Sequence, residues 1–200
     1  MGKNNRFGQA EILSDAELDR IFKHLKNREH KLFFVIARYS GERFGAIAKL
    51  QVSDVYDPDL NPLDELTFPA NIRKASPNGD RSTRQVIVFE RFAEALTIHK
   101  PRDLACDRVW LFPSSIKEGQ PITWSAADKW LRAAVERAGL DHRGISGHSL
   151  RRSFITKLYE SGMDIHQLQQ VTGHKSISVL QKYIGKNPVK LKQSMSKIFA

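Results

Sequence analysis

The chain has 200 residues and a formal net charge of +10, with 40% hydrophobic and 27% charged residues. This composition fits one large or two small globular domains with an ample core, and the apolar runs fall short of the roughly 18 residues that a membrane span needs. The excess of Lys and Arg suggests nucleic acid as the partner, provided that those residues converge on one site. Cys106 is the only cysteine, which excludes an internal disulfide and leads us to expect a cytoplasmic protein with no membrane partner.

The first predicted elements are helices. The stretch LSDAEL carries Ser14 and Glu17 at capping-box spacing, which predicts a helix that runs to about residue 27. The run 31–39 is apolar nearly all round, which is typical of a buried helix. A third, short helix is expected to begin within 43–55.

The region 64–89 differs, because DELTF and RQVIVF are short runs rich in β-forming residues. Between them, Asn78-Gly79 is a strong turn signal. We expect a small antiparallel hairpin or a three-stranded sheet at the edge of a helical domain. Helices resume at about 89–99 and 124–138.

The C-terminal part is predicted to be helical again. A helix begins at residue 148 and ends at Gly162, a shorter one covers DIHQLQQVTG, and SISVLQKY forms another. The last residues, 188–200, form an amphipathic tail helix. The predicted fold class is therefore α+β and mainly α-helical.

His148 and Arg151 lie three positions apart in GHSLRRS, so they share one face of a helix. Both offer hydrogen-bond donors, and neither helps to bury the helix. They could form a solvated surface pair, or they could bind an anion.

Other residues are of types that bind or attack a phosphate, although each alone has a structural explanation. Arg43 could be a surface arginine, and Lys74 could belong to a solvated basic hairpin. His174 could interact favourably with the dipole at the C-terminus of a helix, and Tyr183 could be an interfacial core tyrosine.

Taken together, their order and spacing resemble the catalytic domain of the tyrosine recombinase (phage integrase) family. The resemblance covers about residues 12–187, and the block from His148 to Tyr183 is highly specific. It rests on G-E-R at Arg43, a basic hairpin with Lys74, His148-x-x-Arg151, the pair Gly173-His174, and a tyrosine nine residues later at Tyr183.

The resemblance implies a tyrosine recombinase catalytic-domain fold over residues 1–187, with a small antiparallel sheet at one edge. The apolar stripe of the tail at 188–200 could fold back on its own domain, whereas the resemblance implies that it docks on a neighbouring protomer. The family's N-terminal DNA-binding domain is expected to be absent from this chain. Members often carry an acidic residue three positions after the first arginine, where this chain has Ala46, and this leaves the orientation of Arg43 to be explained.

The activity that the resemblance implies is site-specific cleavage and rejoining of double-stranded DNA. Arg43 and Arg151 would bind the non-bridging phosphate oxygens, for which a forked guanidinium suits better than an ammonium. Tyr183 would attack phosphorus to give a 3′-phosphotyrosyl link. Because the ordinary pKa of tyrosine is near 10, it needs a base, and His148 is the candidate.

Lys74 would protonate the departing 5′-oxygen, although Arg73 and Arg81 lie close by in the sequence. His174 would hydrogen-bond a non-bridging oxygen. We expect no metal, because the histidines lack ligand spacing, and no nucleotide cofactor, because there is no glycine-rich phosphate loop.

Two alternatives share part of this pattern. A type IB topoisomerase uses the same nucleophile and arginines, and a non-catalytic DNA-binding regulator could retain the fold. The expected partners are double-stranded DNA and other protomers in a tetrameric synapse on that DNA.

Overall fold

The structure, a computed structural model, describes residues 10–75, 78–174, 176–181 and 195–196. Helices dominate this part of the chain, and none of the helices within it is long and apolar enough to cross a membrane. The helices and strands are α1 (Asp15–Lys23), α2 (Arg28–Ser40), α3 (Phe44–Ile47), β1 (Glu65–Phe68), β2 (Arg84–Ile87), α4 (Glu90–His99), α5 (Trp124–Arg137), α6 (Gly147–Glu160), α7 (Ile165–Thr172) and α8 (Ile177–Gln181).

Helix α2 lies at the centre, as its apolar sequence predicts, and packs against α4, α5 and α6. Helix α1 begins with the predicted capping box, in which the Ser14 amide donates to Glu17 Oε2 at 2.9 Å. It ends at Lys23 rather than near residue 27, because Asn27 already caps α2 by accepting from the His30 amide at 2.8 Å.

Strands β1 and β2 form the predicted antiparallel pair, with Leu66 opposite Val86 and Phe68 opposite Arg84. Side chains of a strand alternate between its two faces. Val86 and Arg84 therefore both point inward, and both are buried. The sheet thus directs a charged residue towards the interior.

A second, smaller apolar cluster joins α6, α7 and α8 through Ile155, Leu168 and Leu180. It lies apart from the main core, which is formed by α1 to α5, β1, β2 and the first turn of α6. The expected fold class, mainly helical with a small antiparallel sheet, is confirmed. Tyr183 and most of the tail at 188–200 lie outside the described residues.

Candidate active site

A cleft of about 1040 Å³ opens between α3, α5, the start of α6 and the segment that follows β1. Its walls are strongly basic, which suits a polyanionic ligand. The basic side chains among its lining residues are Arg43, Lys49, Arg73, Lys74, Arg81, Lys117, Arg132, His148 and Arg151.

The N-terminus of α6 places His148 and Arg151 at this cleft. The Ser146 amide donates to Ser149 Oγ at 3.1 Å, and this cap fixes where the helix begins. His148 in the first turn is exposed, whereas Arg151 one turn later is buried, with 2% of its surface accessible.

Gly41 ends α2 with a left-handed φ of 60° and provides a fixed acceptor for Arg151. Arg151 Nη1 donates to the Gly41 carbonyl at 2.7 Å. A Cβ atom at Gly41 would lie 2.3 Å from Cδ1 of Phe154, so only glycine fits here. Arg43 follows two residues later as the N-cap residue of α3, half-buried at the cleft.

His174 is held against Arg151 as a neutral imidazole with a defined tautomer. Thr172 Oγ1 donates to the Leu168 carbonyl at 2.5 Å, so it accepts the Nδ1 proton of His174 at 2.6 Å. The Nε2 lone pair then accepts from Arg151 Nη2 at 2.9 Å. Burial, followed by the charges of Arg151 and Arg43, lowers the pKa of His174 to about 3.

This neutral state differs from the structural alternative considered for His174, a cation that favours the helix dipole. Gly173 does end α7 in the left-handed conformation, as the sequence suggests. The ring, however, turns towards Arg151 and away from bulk water, and a protonated ring could not accept the guanidinium's hydrogen bond.

His148 has the electrostatic setting of a proton acceptor. Although the residue is exposed, its ring is partly shielded by the cleft wall. This partial burial lowers the pKa of the imidazole, and the positive charges of Arg43, Arg151 and Lys74 lower it further. The ring is therefore neutral near pH 7 and carries a lone pair at the cleft.

The basic hairpin presents Lys74 and holds Arg73 back. Lys74 is exposed, lines the cleft and contributes to the lowered pKa of His148. Arg73 is buried, with Nη1 donating to the Ser82 carbonyl at 2.7 Å. Arg81 donates to the Asn71 carbonyl at 2.7 Å. Lys74 thus remains the candidate proton donor of the three.

Glu42 is a central part of the site that the sequence reasoning missed. Its side chain is buried, and its oxygens lie 3.0 Å from Arg84 Nη1, 3.2 Å from Arg73 Nε and 3.7 Å from Arg151 Nη1. Burial raises the pKa of the carboxyl, but the charges of Arg84 and Arg151 outweigh this effect and lower it to about 2. The signal in the sequence was its position in G-E-R, directly before Arg43.

The described structure therefore brings five of the six predicted site residues to one cleft or its wall, and the sixth, Tyr183, lies outside the described residues. Within the described ranges, no three His, Cys, Asp or Glu side chains are grouped as metal ligands usually are. The arrangement offers guanidinium donors, a neutral imidazole and an amine to an oxyanion.

Comparisons with known proteins point to one family. The profile described as "Phage integrase family" matches residues 11–189. The chain is 31% identical over 193 residues to the tyrosine recombinase XerD of Rickettsia conorii, covering 86% of this chain and 59% of that protein. This chain thus spans about three fifths of that relative's length.

Solved structures agree in fold. The catalytic domain of bacteriophage HP1 integrase superposes with a TM-score of 0.64 at 20% identity, covering 94% of this chain and 95% of that one. The Tn1549 transposon integrase, solved in complex with transposon right end DNA, gives a TM-score of 0.72 at 17% identity and covers 99% of this chain and 69% of that one. At these identities the likeness concerns the fold alone.

Proposed function

The chain belongs to the phage integrase family, and on that premise we propose that it is a site-specific DNA recombinase. It cleaves and rejoins DNA strands through a 3′-phosphotyrosyl intermediate. The two comparison proteins described above as a recombinase and as a DNA-bound integrase support this proposal.

One observation carries the proposal: the cleft holds a buried, fixed arginine beside an exposed neutral histidine. Arg151 is oriented by Gly41 and His174, and His148 lies one helical turn before it. A phosphodiester in the cleft would meet the guanidinium groups of Arg151 and Arg43, which both line it. Charge stabilisation of this kind is usually the largest catalytic contribution.

The covalent step needs a nucleophile, a base and an acid. The Tyr183 oxygen attacks phosphorus as His148 takes its proton, and the bond from phosphorus to the 5′-oxygen breaks. Lys74 protonates that oxygen, which leaves as a 5′-hydroxyl. Attack of a 5′-hydroxyl on the phosphotyrosine reverses these transfers and rejoins a strand, so neither step needs an added energy source.

His174 is proposed to donate to a non-bridging oxygen, and the geometry sets a condition on this role. In the DNA-free arrangement its Nε2 accepts from Arg151 and its proton sits on Nδ1. For Nε2 to donate, it must carry a proton. Either the proton moves from Nδ1 and the Thr172 hydroxyl turns its hydrogen towards Nδ1, or the negative phosphate stabilises an imidazolium that donates from both nitrogens.

The partners proposed are double-stranded DNA and further copies of this chain. Exchange between two duplexes requires four strand cleavages, which fits a tetrameric synapse. The stripe of Leu191, Met195, Ile198 and Phe199 in the tail is proposed to dock on a neighbouring protomer in that assembly.

The test uses a duplex that is nicked close to the cleavage site. The short cleaved fragment diffuses away with its 5′-hydroxyl, so the strand is not rejoined and the covalent adduct accumulates. We expect the protein to become covalently attached to a 3′-end, and Tyr183→Phe to form no adduct while binding DNA with nearly unchanged affinity. A mobility shift without adduct from the unaltered protein would indicate a DNA-binding regulator. Relaxation of plasmids that lack a recombination site would indicate a type IB topoisomerase.

A further inference from the structure

We propose that Glu42 is a positioning residue that holds the phosphate-binding arginines in their working orientation, an inference that rests on the proposed function. The carboxylate itself is buried and reaches the phosphate only through other groups.

The two oxygens of Glu42 divide their contacts in a specific way. Oε1 accepts from the backbone amide of Arg43 at 2.9 Å and lies 3.7 Å from Arg151 Nη1. One oxygen thus faces both arginines that we assign to the phosphate. Oε2 lies 3.0 Å from Arg84 Nη1 and 3.2 Å from Arg73 Nε.

Those contacts tie together parts of the chain that are far apart in sequence. Arg84 comes from β2 and also donates to the Ser40 carbonyl at 2.6 Å and to the Val171 carbonyl at 2.9 Å. The hairpin and α6 therefore meet at one carboxylate just beyond the end of α2, and Arg84 links that carboxylate to the end of α7. We therefore expect a change at Glu42 to affect Arg151 directly and the end of α7 through Arg84.

Stability alone does not account for this group of charges. Three buried guanidinium groups face one carboxylate, so positive charge remains in excess. Burying ions costs several kcal/mol each, and buried ion pairs are often no more stabilising than apolar replacements. An excess of fixed positive charge at the cleft wall is useful when the ligand is an anion.

The acidic residue among the cleft-lining residues, Asp128, is differently engaged from the buried Glu42. Asp128 accepts from Arg132 Nε at 2.6 Å, four residues on along α5, and Arg132 is mostly exposed. Glu42, in contrast, is buried and has an oxygen 3.7 Å from Arg151 Nη1.

The experiment compares two substrates and measures single-turnover adduct formation at saturating DNA. One nicked duplex has an ordinary scissile phosphate, and the other has a neutral methylphosphonate there, which makes less use of arginine forks. We expect Glu42→Gln to slow reaction on the phosphate about 10- to 100-fold, by analogy with the hydrogen-bond partners of metal ligands. On the methylphosphonate we expect a loss below about 3-fold, scaled from the same principle.

The matched control is Glu17→Gln, which alters a carboxylate on α1 that caps the helix and pairs with Arg143. It should react like the unaltered chain on both substrates. Equal loss on both substrates for Glu42→Gln would mean a general structural role and would overturn the proposal.

A second variant, Glu42→Asp, keeps the charge but shortens its reach. It covers the case in which Glu42→Gln fails to fold, because the new amide would direct hydrogens at arginine donors. We expect Glu42→Asp to show the same substrate-dependent loss, smaller in size. If it matches the unaltered chain on both substrates, the proposal is wrong. If the unaltered chain forms no adduct at all, the proposed function fails first and this inference fails with it.

Discussion

The surface around α1, called here the α1 face, carries Asp15, Asp19, Arg38 and Lys157. This face and the cleft both contain many charges, but the charges are balanced differently in the two regions. On the α1 face, Arg38 meets Asp15 and Asp19, while Lys157 also meets Asp15, at distances between 2.5 and 3.2 Å. At the cleft, Arg73, Arg84 and Arg151 share the single carboxylate of Glu42. The net charge of +10 is therefore locally compensated in one region and left in excess where an anion is expected to bind.

The pairs differ in exposure as well. Lys157 and Asp15 are more than half exposed, so their attraction is screened and worth about 0.2–1 kcal/mol. The groups around Glu42 are nearly water-free, where electrostatic interactions are stronger. The same residue types thus form weak, solvated ion pairs in one region and fixed, buried electrostatic contacts in the other.

The largest effect on the rate should come from replacing the forked guanidinium of Arg151 by the single ammonium of a lysine. Arg151→Lys keeps the positive charge but loses the simultaneous contacts to Gly41 and His174. We expect adduct formation on the nicked duplex to fall by about 10²- to 10³-fold. The matched control is Arg132→Lys at the exposed rim, which should lose less than about 3-fold by the same reasoning. Similar rates for both variants would erase the distinction between the buried and the exposed arginines.

A smaller effect is expected from a pair of exposed lysines, one in each region. Lys74→Gln removes the proposed proton donor at the cleft and should slow adduct formation about 100-fold, at the low end for general acid catalysis. Lys157→Gln removes the same charge from the α1 face and should leave the rate unchanged. Its free energy of unfolding should change by less than about 1 kcal/mol, measured by urea denaturation. Equal rates for the two variants would rule out Lys74 as the proton donor.

The smallest effect concerns pH. His148 acts as a base only when neutral, and its pKa is lowered from 6.5 by burial and by Arg43, Arg151 and Lys74. Raising the pH increases the neutral fraction of His148, so this residue should make the rate fall on the acidic side of the profile. Between pH 8 and pH 6.5 we expect a loss below about twofold, since a group with a pKa of 6.5 would be half protonated at the lower value. A midpoint above 6.5 in the single-turnover pH profile would contradict the assignment.

Much of the fold was predictable because its signals are local. The capping box at Ser14 and Glu17 lies within four residues, and the alternation in β2 needs only neighbours to indicate that Val86 is buried. The spacing of His148 and Arg151 likewise follows from one turn of α6. Such patterns need no knowledge of which segments meet.

Glu42 and Arg84 were beyond this reasoning because their environment is made by distant segments. A glutamate between two helices ordinarily faces water, and here it is buried because a strand residue 42 positions later arrives beside it. The neutral state of His174 has the same origin, since Arg151 comes from another helix. Sequence spacing indicates which residues share a helix face, but it does not reveal which charges are enclosed together.

Gly41 carries a consequence for attempts to redirect the proposed recombinase to new DNA sites by directed evolution. Its backbone packs against Phe154, and its carbonyl accepts a hydrogen bond from Arg151. Both of these residues belong to α6, three positions apart. Any side chain at position 41 would meet Phe154 and would disturb the helix packing and the Arg151 guanidinium together, so we expect few substitutions there to be tolerated. Trp124 and Lys49, exposed on the rim of the same cleft, have no such double role in the described structure and are the better codons to randomise.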